Sequence, residues 1–138
     1  MPEQLGWLDT NLFVHALFPR DPHYARCQRI LAALDAGTAE GWLDPLVVHD
    51  LTYVLGRLPQ FPDRAAIQGY LRTILLTEQI RADDKPALLA AVARWVMRGG
   101  GFTDAWLASL AGRRALPVCS VNARDLPDIA NTFDQDDV

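Results

Sequence analysis

The sequence predicts an α/β domain in which helices cover both faces of a short parallel sheet. Two observations lead to this fold class. Short apolar runs without polar alternation, such as residues 5–8, are typical of strands that are buried on both faces. Stretches with apolar residues at helical spacing separate these runs, as the connections of a parallel sheet require. Half of the 138 residues are hydrophobic, which is enough for one domain with its own core.

The first predicted elements are a strand at residues 5–8 and a helix that begins after it, at Asp9-Thr10-Asn11. Pro19 and Pro22 keep this helix brief, because proline lacks the N–H that a helix interior needs. The next helix covers residues 23–36 and ends at a glycine. Its apolar residues recur at helical spacing, at Cys27, Ile30, Leu31 and Leu34.

The best-marked helix begins at Asp44, after a short strand at residues 41–43. Asp44 fits an N-cap, and Pro45 fits the first helical position. The helix continues to Pro59 with an apolar stripe at Val47, Leu51, Val54 and Leu58.

Two strands and three helices are predicted in the rest of the chain. Helix 63–76 precedes a weak strand at 80–82. Helix 84–98 ends at three glycines, and helix 102–114 follows them. Their apolar residues are Leu88, Ala91, Val92, Trp95 and Val96 in the first, and Phe102, Trp106 and Leu110 in the second. The last strand is the apolar run 117–121.

The balance of charges excludes a protein that holds nucleic acid through bulk positive charge. The formal net charge is −4 and the pI is about 5.2. Lys85 is the only lysine, which argues against lysine-centred mechanisms. No apolar run is long enough to span a bilayer, and residues 1–6 lack the features of a signal peptide. We therefore expect a cytoplasmic protein with one domain at residues 1–133 and a frayed acidic tail at 134–138.

Four acidic residues are candidates for chemistry: Asp9, Asp50, Asp104 and Asp125, the last with Asn122 beside it. Each has an ordinary alternative. Asp9 is placed to cap a helix, and Asp50 fits a solvated position inside one. Asp104 falls in a first helical turn, which favours negative charge, and Asp125 lies in a predicted turn.

Taken together, these residues suggest a metal site for phosphodiester cleavage. Carboxylates that converge from separate segments can hold Mg²⁺ or Mn²⁺, which prefer oxygen ligands. The metal lowers the pKa of a bound water and neutralises charge on the phosphate. Without it, the carboxylates would repel one another and the substrate. A local metal site therefore reconciles an acidic chain with a polyanionic substrate.

Four stretches, in order and spacing, resemble the motifs of a PIN domain of the small kind found as VapC toxins of toxin–antitoxin pairs. The first has the sequence WLDTNL and contains Asp9. The second, VVHDLTYVL, contains Asp50, and the third, FTDAWLA, contains Asp104. The fourth, PVCSVNARDL, contains Asn122 and Asp125.

The resemblance implies a metal-dependent endoribonuclease with a three-layer fold around a parallel sheet of about five strands. It implies Asp9, Asp50, Asp104 and Asp125 as catalytic residues, with Mg²⁺ or Mn²⁺ on Asp9, Asp104 and Asp125. It also implies that Thr10, Asn11, Asn122 and Arg124 bind the substrate or support the site. The resemblance also implies a homodimer, an RNA substrate and a small antitoxin partner. PIN domains commonly have Glu at the position of Asp50, so the shorter carboxylate here is expected to reach the metal through water.

Two rival functions remain open. One is a phosphatase that forms an aspartyl-phosphate on Asp9, for which Lys85 is the only candidate for the required lysine. The other is a PIN-like module that binds RNA or protein without turnover. Phospho-Asp9 capture would favour the first, and metal-independent RNA binding without cleavage would favour the second.

Overall fold

Three parallel strands and six helices make up the part of the chain that the computed structural model describes, residues 1–120. Helices flank the parallel sheet, which confirms the α/β class predicted from the sequence. No helix in this part of the chain is both long and apolar enough to cross a membrane. In chain order the elements are β1 (Glu3–Trp7), α1 (Thr10–His15), α2 (Tyr24–Ala36), β2 (Ala39–Trp42), α3 (Pro45–Leu55), α4 (Arg64–Leu75), β3 (Ile80–Arg81), α5 (Lys85–Arg98) and α6 (Phe102–Arg114).

The sheet has β2 in the middle, paired in parallel with β1 on one side and β3 on the other. Trp42 lies opposite Trp7 in β1 and opposite Arg81 in β3. The ladder extends one residue further, where the Leu8 N–H donates to the Trp42 carbonyl at 2.8 Å and the Leu43 N–H donates to the Arg81 carbonyl at 2.7 Å. Because the strands are parallel, all three end at the same edge of the sheet.

The chain divides into two compact units, and the sheet belongs to the first, Met1–Lys85. Along β2 the side chains alternate, so Ala39 is buried on one face while Trp42 is only half-buried on the other. At Gly41 a Cβ atom would stand 2.6 Å from the Leu8 side chain, so only glycine permits this close packing. The largest fully buried side chains of this unit are Phe13, Leu34, Leu43, Val48, Leu51, Leu55, Leu71 and Leu75.

The second unit begins at Pro86, and its described part contains α6 and all of α5 except Lys85. The Ser109 hydroxyl donates to the Ala87 carbonyl at 2.6 Å and so ties α6 to α5. Of the strand predicted at residues 117–121, only Val118 forms a β-bridge, and residue 121 lies outside the described residues. The buried residues of the two helices are Ala87, Leu88, Ala91, Val92, Trp95, Phe102, Ala105 and Ala108.

The predicted core faces of two helices are wrong by one position or more. In α3, Leu51 is buried as predicted, but Val47 and Val54 are only half-buried, and the other core positions are Val48, Thr52 and Leu55. In α6 the small residues Ala105 and Ala108 are buried instead of Trp106 and Leu110. Both helices carry apolar residues on two adjacent stripes, and spacing alone cannot tell which stripe meets the core.

The prediction that β1 is buried on both faces is also wrong. Its residues are exposed or half-buried, and the Trp7 side chain is 70% exposed. Among the described strands, β1 pairs only with β2, and its register shifts between Gln4 and Gly6, where the glycine has a φ of +79°. Such a bulge bends and twists the strand locally. Only Leu8, just after the strand, reaches the core.

Tyr70 of α4 holds the C-terminal end of α1. Its hydroxyl donates to the Phe13 carbonyl at 2.8 Å, and Gln28 Nε2 donates to the Ala16 carbonyl at 2.8 Å. The last carbonyls of a helix have no partner within the helix, so these two side chains satisfy groups that would otherwise stay unpaired. Burial of the phenol raises the pKa of Tyr70 to about 12, with a smaller effect from Cys27.

Raising the pH from 10 to 12 is expected to lower the free energy of unfolding. Tyr70 ionises near its ordinary pKa of 10.0 in the unfolded chain but keeps its proton to about pH 12 when folded. The stability contributed by the neutral phenol is therefore complete below pH 10 and is lost as the pH rises through that window. Urea denaturation of Tyr70→Phe should show a free energy of unfolding about 1 kcal/mol lower than that of the wild type at neutral pH. Between pH 10 and 12 this free energy should fall less steeply with pH than it does in the wild type. If the free energy of unfolding fell equally steeply with pH in the two proteins, the raised pKa of Tyr70 would be contradicted.

Candidate functional site

Asp9 stands between β1 and α1, at the edge of the sheet where the parallel strands end. Its Oδ1 accepts a hydrogen bond from the Thr10 N–H at 2.8 Å, the first N–H of the helix. Two other aspartate N-caps bond to N–H groups further along their helices: Asp44 accepts from Leu46 N at 2.8 Å and Asp63 from Ala66 N at 2.9 Å. An N-cap ordinarily satisfies the second or third N–H of the helix. Asp9 does not make that usual bond, so capping alone is a weaker explanation for it than for Asp44 and Asp63.

A hydrogen bond between Thr10 and Asp50 joins two of the predicted motifs. The Thr10 hydroxyl donates to Asp50 Oδ2 at 3.3 Å, between residues that are 40 positions apart in the chain. The packing of α1 against α3 brings them together. Asp50 is solvent-exposed, as the ordinary alternative requires, but it is not an isolated surface carboxylate. The structure therefore brings together Asp9, Thr10 and Asp50 at one end of α1.

The donor atoms at this place fit a hard divalent cation. Within residues 1–120, neither Asp9 Oδ2 nor Asp50 Oδ1 accepts a hydrogen bond, and both side chains face solvent. Mg²⁺ keeps several of its waters and is usually bound by one or two carboxylates together with substrate phosphate. No group of three or more acidic, histidine or cysteine side chains that could hold a metal occurs in this described part of the chain. The site described here is thus two exposed carboxylates, Asp9 and Asp50, which are linked through Thr10 and which we call the carboxylate pair.

The other predicted site residues are not joined to this pair by the structure. Asn11 is exposed on α1. Asp104 is half-buried in the first turn of α6, in the second unit, where its charge also suits the helix dipole. Asn122, Arg124 and Asp125 lie outside the described residues. The roles assigned to these five residues stay predictions.

Asp44, which the sequence predicts only as a helix cap, is an acidic residue at the same sheet edge. Trp7 and Trp42 lie opposite each other in the ladder, and Asp9 and Asp44 each follow them by two positions. The two carboxyl-bearing junctions are therefore neighbours. The signal for this was the shared pattern Trp-Leu-Asp at residues 7–9 and 42–44, but its meaning depends on β1 and β2 being adjacent.

The structure weakens the phosphatase alternative. Lys85 follows β3, the strand predicted at residues 80–82. The Lys85 Nζ, however, donates to the carbonyl of Thr77 at 2.7 Å, and Thr77 lies in the loop before β3. Burial and the nearby charge of Arg81 lower the pKa of Lys85, partly offset by Glu78. The ammonium is thus bound at a loop that enters the sheet, whereas Asp9 follows the end of a strand.

The chain matches a known protein family. A family model described as a PIN domain matches residues 7–112, which is more than half of the chain. The match spans the motifs of Asp9, Asp50 and Asp104 and ends before the fourth motif at 117–126. No curated protein and no solved structure matches the chain. The chain therefore belongs to the PIN domain family, whose members are generally nucleases and typically use divalent metal ions.

Proposed function

We propose that this PIN domain is a Mg²⁺-dependent endoribonuclease that hydrolyses RNA phosphodiesters as the VapC-type toxin of a toxin–antitoxin pair. The hydrogen bond from Thr10 to Asp50 is the observation that carries the proposal. It links the strand-end motif of Asp9 to the carboxylate of α3 in a chain of a generally nucleolytic family. Mn²⁺ has the same preference for oxygen ligands and is a second candidate for the ion.

The four acidic residues have two roles in the proposed site. Asp9, Asp104 and Asp125 hold the ion, and Asp50 completes its shell. The bound ion supplies charge neutralisation at the phosphate and activates water as the nucleophile. Thr10 donates a hydrogen bond to one oxygen of Asp50, which favours this rotamer of the exposed side chain. Asp50 is one methylene shorter than glutamate, so its carboxylate would reach a bound ion through water.

Exposed apolar side chains support the proposed partners, a second copy of the chain and a small antitoxin. Leu46 is 72% exposed, Leu76 60% and Met97 84%. Where such side chains form a contiguous patch, the patch marks a protein interface. An antitoxin that covers the carboxylate pair would block access of RNA to it.

Cleavage of structured RNA in Mg²⁺ or Mn²⁺, and its loss in EDTA, is the first expected outcome. The double variant Asp9→Asn, Asp104→Asn keeps the size of both side chains but removes two anionic ligands. It should lose more activity than the roughly 10–100-fold that removal of an outer-shell partner costs. Thr10→Val should lose activity within that roughly 10–100-fold range, whereas Thr10→Ser, which keeps the hydroxyl, should cleave RNA as the wild type does.

Asp35→Asn is the matched control, since Asp35 is an exposed acidic residue on α2 outside all four motifs. If the double variant cleaved RNA as fast as the wild type, the proposed site would be refuted. RNA binding without any cleavage, with or without metal, would instead favour the binding-module alternative.

Mg²⁺ should raise the melting temperature of the RNA-free protein. An ion that binds only the folded chain stabilises it by about 2.7 kcal/mol at a concentration of 100 Kd, which is about 5–10 °C for a chain of this size. Differential scanning fluorimetry should show this shift for the wild type and Asp35→Asn, and a smaller one for Asp9→Asn and Asp50→Asn. K⁺ at matched ionic strength controls for salt, and an equal shift with K⁺ would rule out specific binding.

Sedimentation velocity tests the proposed homodimer. We expect one species of twice the 15.3 kDa chain mass, because the exposed apolar surface is stabilised when two copies cover it. A monomer at all concentrations would refute this part of the proposal and leave the nuclease activity untouched.

A further inference from the structure

Tyr53 and Arg57 form an exposed aromatic and cationic pair at the C-terminal end of α3. The tyrosine is 66% exposed. The guanidinium carbon of Arg57 lies 5.6 Å from the centre of the tyrosine ring, and Arg57 Nη1 donates to the tyrosine hydroxyl at 3.3 Å. This cation–π contact holds both side chains in a defined arrangement although both face solvent. We call these two residues the Tyr53–Arg57 pair.

The Tyr53–Arg57 pair is continuous with the carboxylate pair. Asp50 and Tyr53 are three positions apart on α3, so their Cβ atoms are neighbours about 5–6 Å apart on the same helix face. Gly56 keeps a right-handed helical conformation, with φ −63° and ψ −14°. The chain therefore continues in the helical sense to Arg57, whose N–H donates to the Val54 carbonyl at 3.1 Å.

Charge distinguishes this face from a purely apolar docking surface. Within residues 1–120, Arg57 makes no ion pair with a carboxylate. A guanidinium that lacks a carboxylate partner and lies beyond an acidic site in a chain of net charge −4 complements a phosphate group. The ring beside it offers the flat surface on which bases of single-stranded nucleic acids stack.

We propose that the Tyr53–Arg57 pair binds one nucleotide of single-stranded RNA next to the scissile phosphate. The base stacks on the Tyr53 ring, and the neighbouring phosphate accepts hydrogen bonds from Arg57. The pair thereby positions the RNA backbone along α3 towards Asp50. This inference rests on the proposed function for the identity of the ligand, and it adds a specificity for unpaired nucleotides.

Binding of a fluorescent single-stranded oligoribonucleotide in EDTA tests the pair without cleavage. Stacking on an aromatic side chain is sequence-tolerant, so Tyr53→Ala should weaken the affinity about 10-fold while Tyr53→Phe retains most of it. Arg57→Ala should also weaken binding and should reduce the slope of log Kd against log salt by about 0.7, the value for one phosphate contact on a single strand. Arg57→Lys should keep the salt slope.

Arg26→Ala is the matched control, because Arg26 is an exposed arginine on α2 away from the motifs. Unchanged affinity in Tyr53→Ala or Arg57→Ala would overturn the inference. A loss of affinity that accompanies dissociation of an oligomer in sedimentation would also overturn it, since the face would then be an interface between copies. Tyr53-dependent binding by a wild-type chain that does not cleave RNA would sustain this inference and refute the proposed nuclease.

Discussion

The parallel register of β1 on β2 is the constraint on which the candidate site depends. Because Trp7 lies opposite Trp42, the chain leaves both strands at the same edge of the sheet, and both α1 and α3 begin there. A shift of one residue would turn Leu8 out of the core, where it packs against Gly41, so burial fixes the register. The position of Asp9 is therefore a consequence of the hydrophobic packing of Leu8, the residue before it.

The second constraint is the packing of α1 against α3. Residues of α3 such as Val48 and Leu51 are fully buried, which leaves Asp50 and Tyr53 on the solvent side. This orientation brings Asp50 within reach of the Thr10 hydroxyl. The Asp50 carboxylate is thus hydrogen-bonded by a hydroxyl that the first motif supplies.

Local signals made most of the elements predictable. Asp44 followed by Pro45, the Gly37 C-cap with a φ of 81° and the glycines after α5 mark helix ends through capping and backbone freedom. These effects act within a few residues, so a sequence shows them directly. The buried stripe of α3 was not predictable in the same way, because apolar residues lie on more than one of its faces and the neighbouring helices select among them.

The sequence by itself determined the α/β class, the order of the elements and the identity of the acidic motifs. Periodicity, helix caps and residue types are local properties that neighbouring residues define. Only the tertiary structure decided which side chains meet. The contact of Thr10 with Asp50 and the neighbouring junctions of Asp9 and Asp44 depend on strand adjacency and helix packing. Those are set by the burial of apolar surface between distant segments, a property of the folded chain that no local pattern contains.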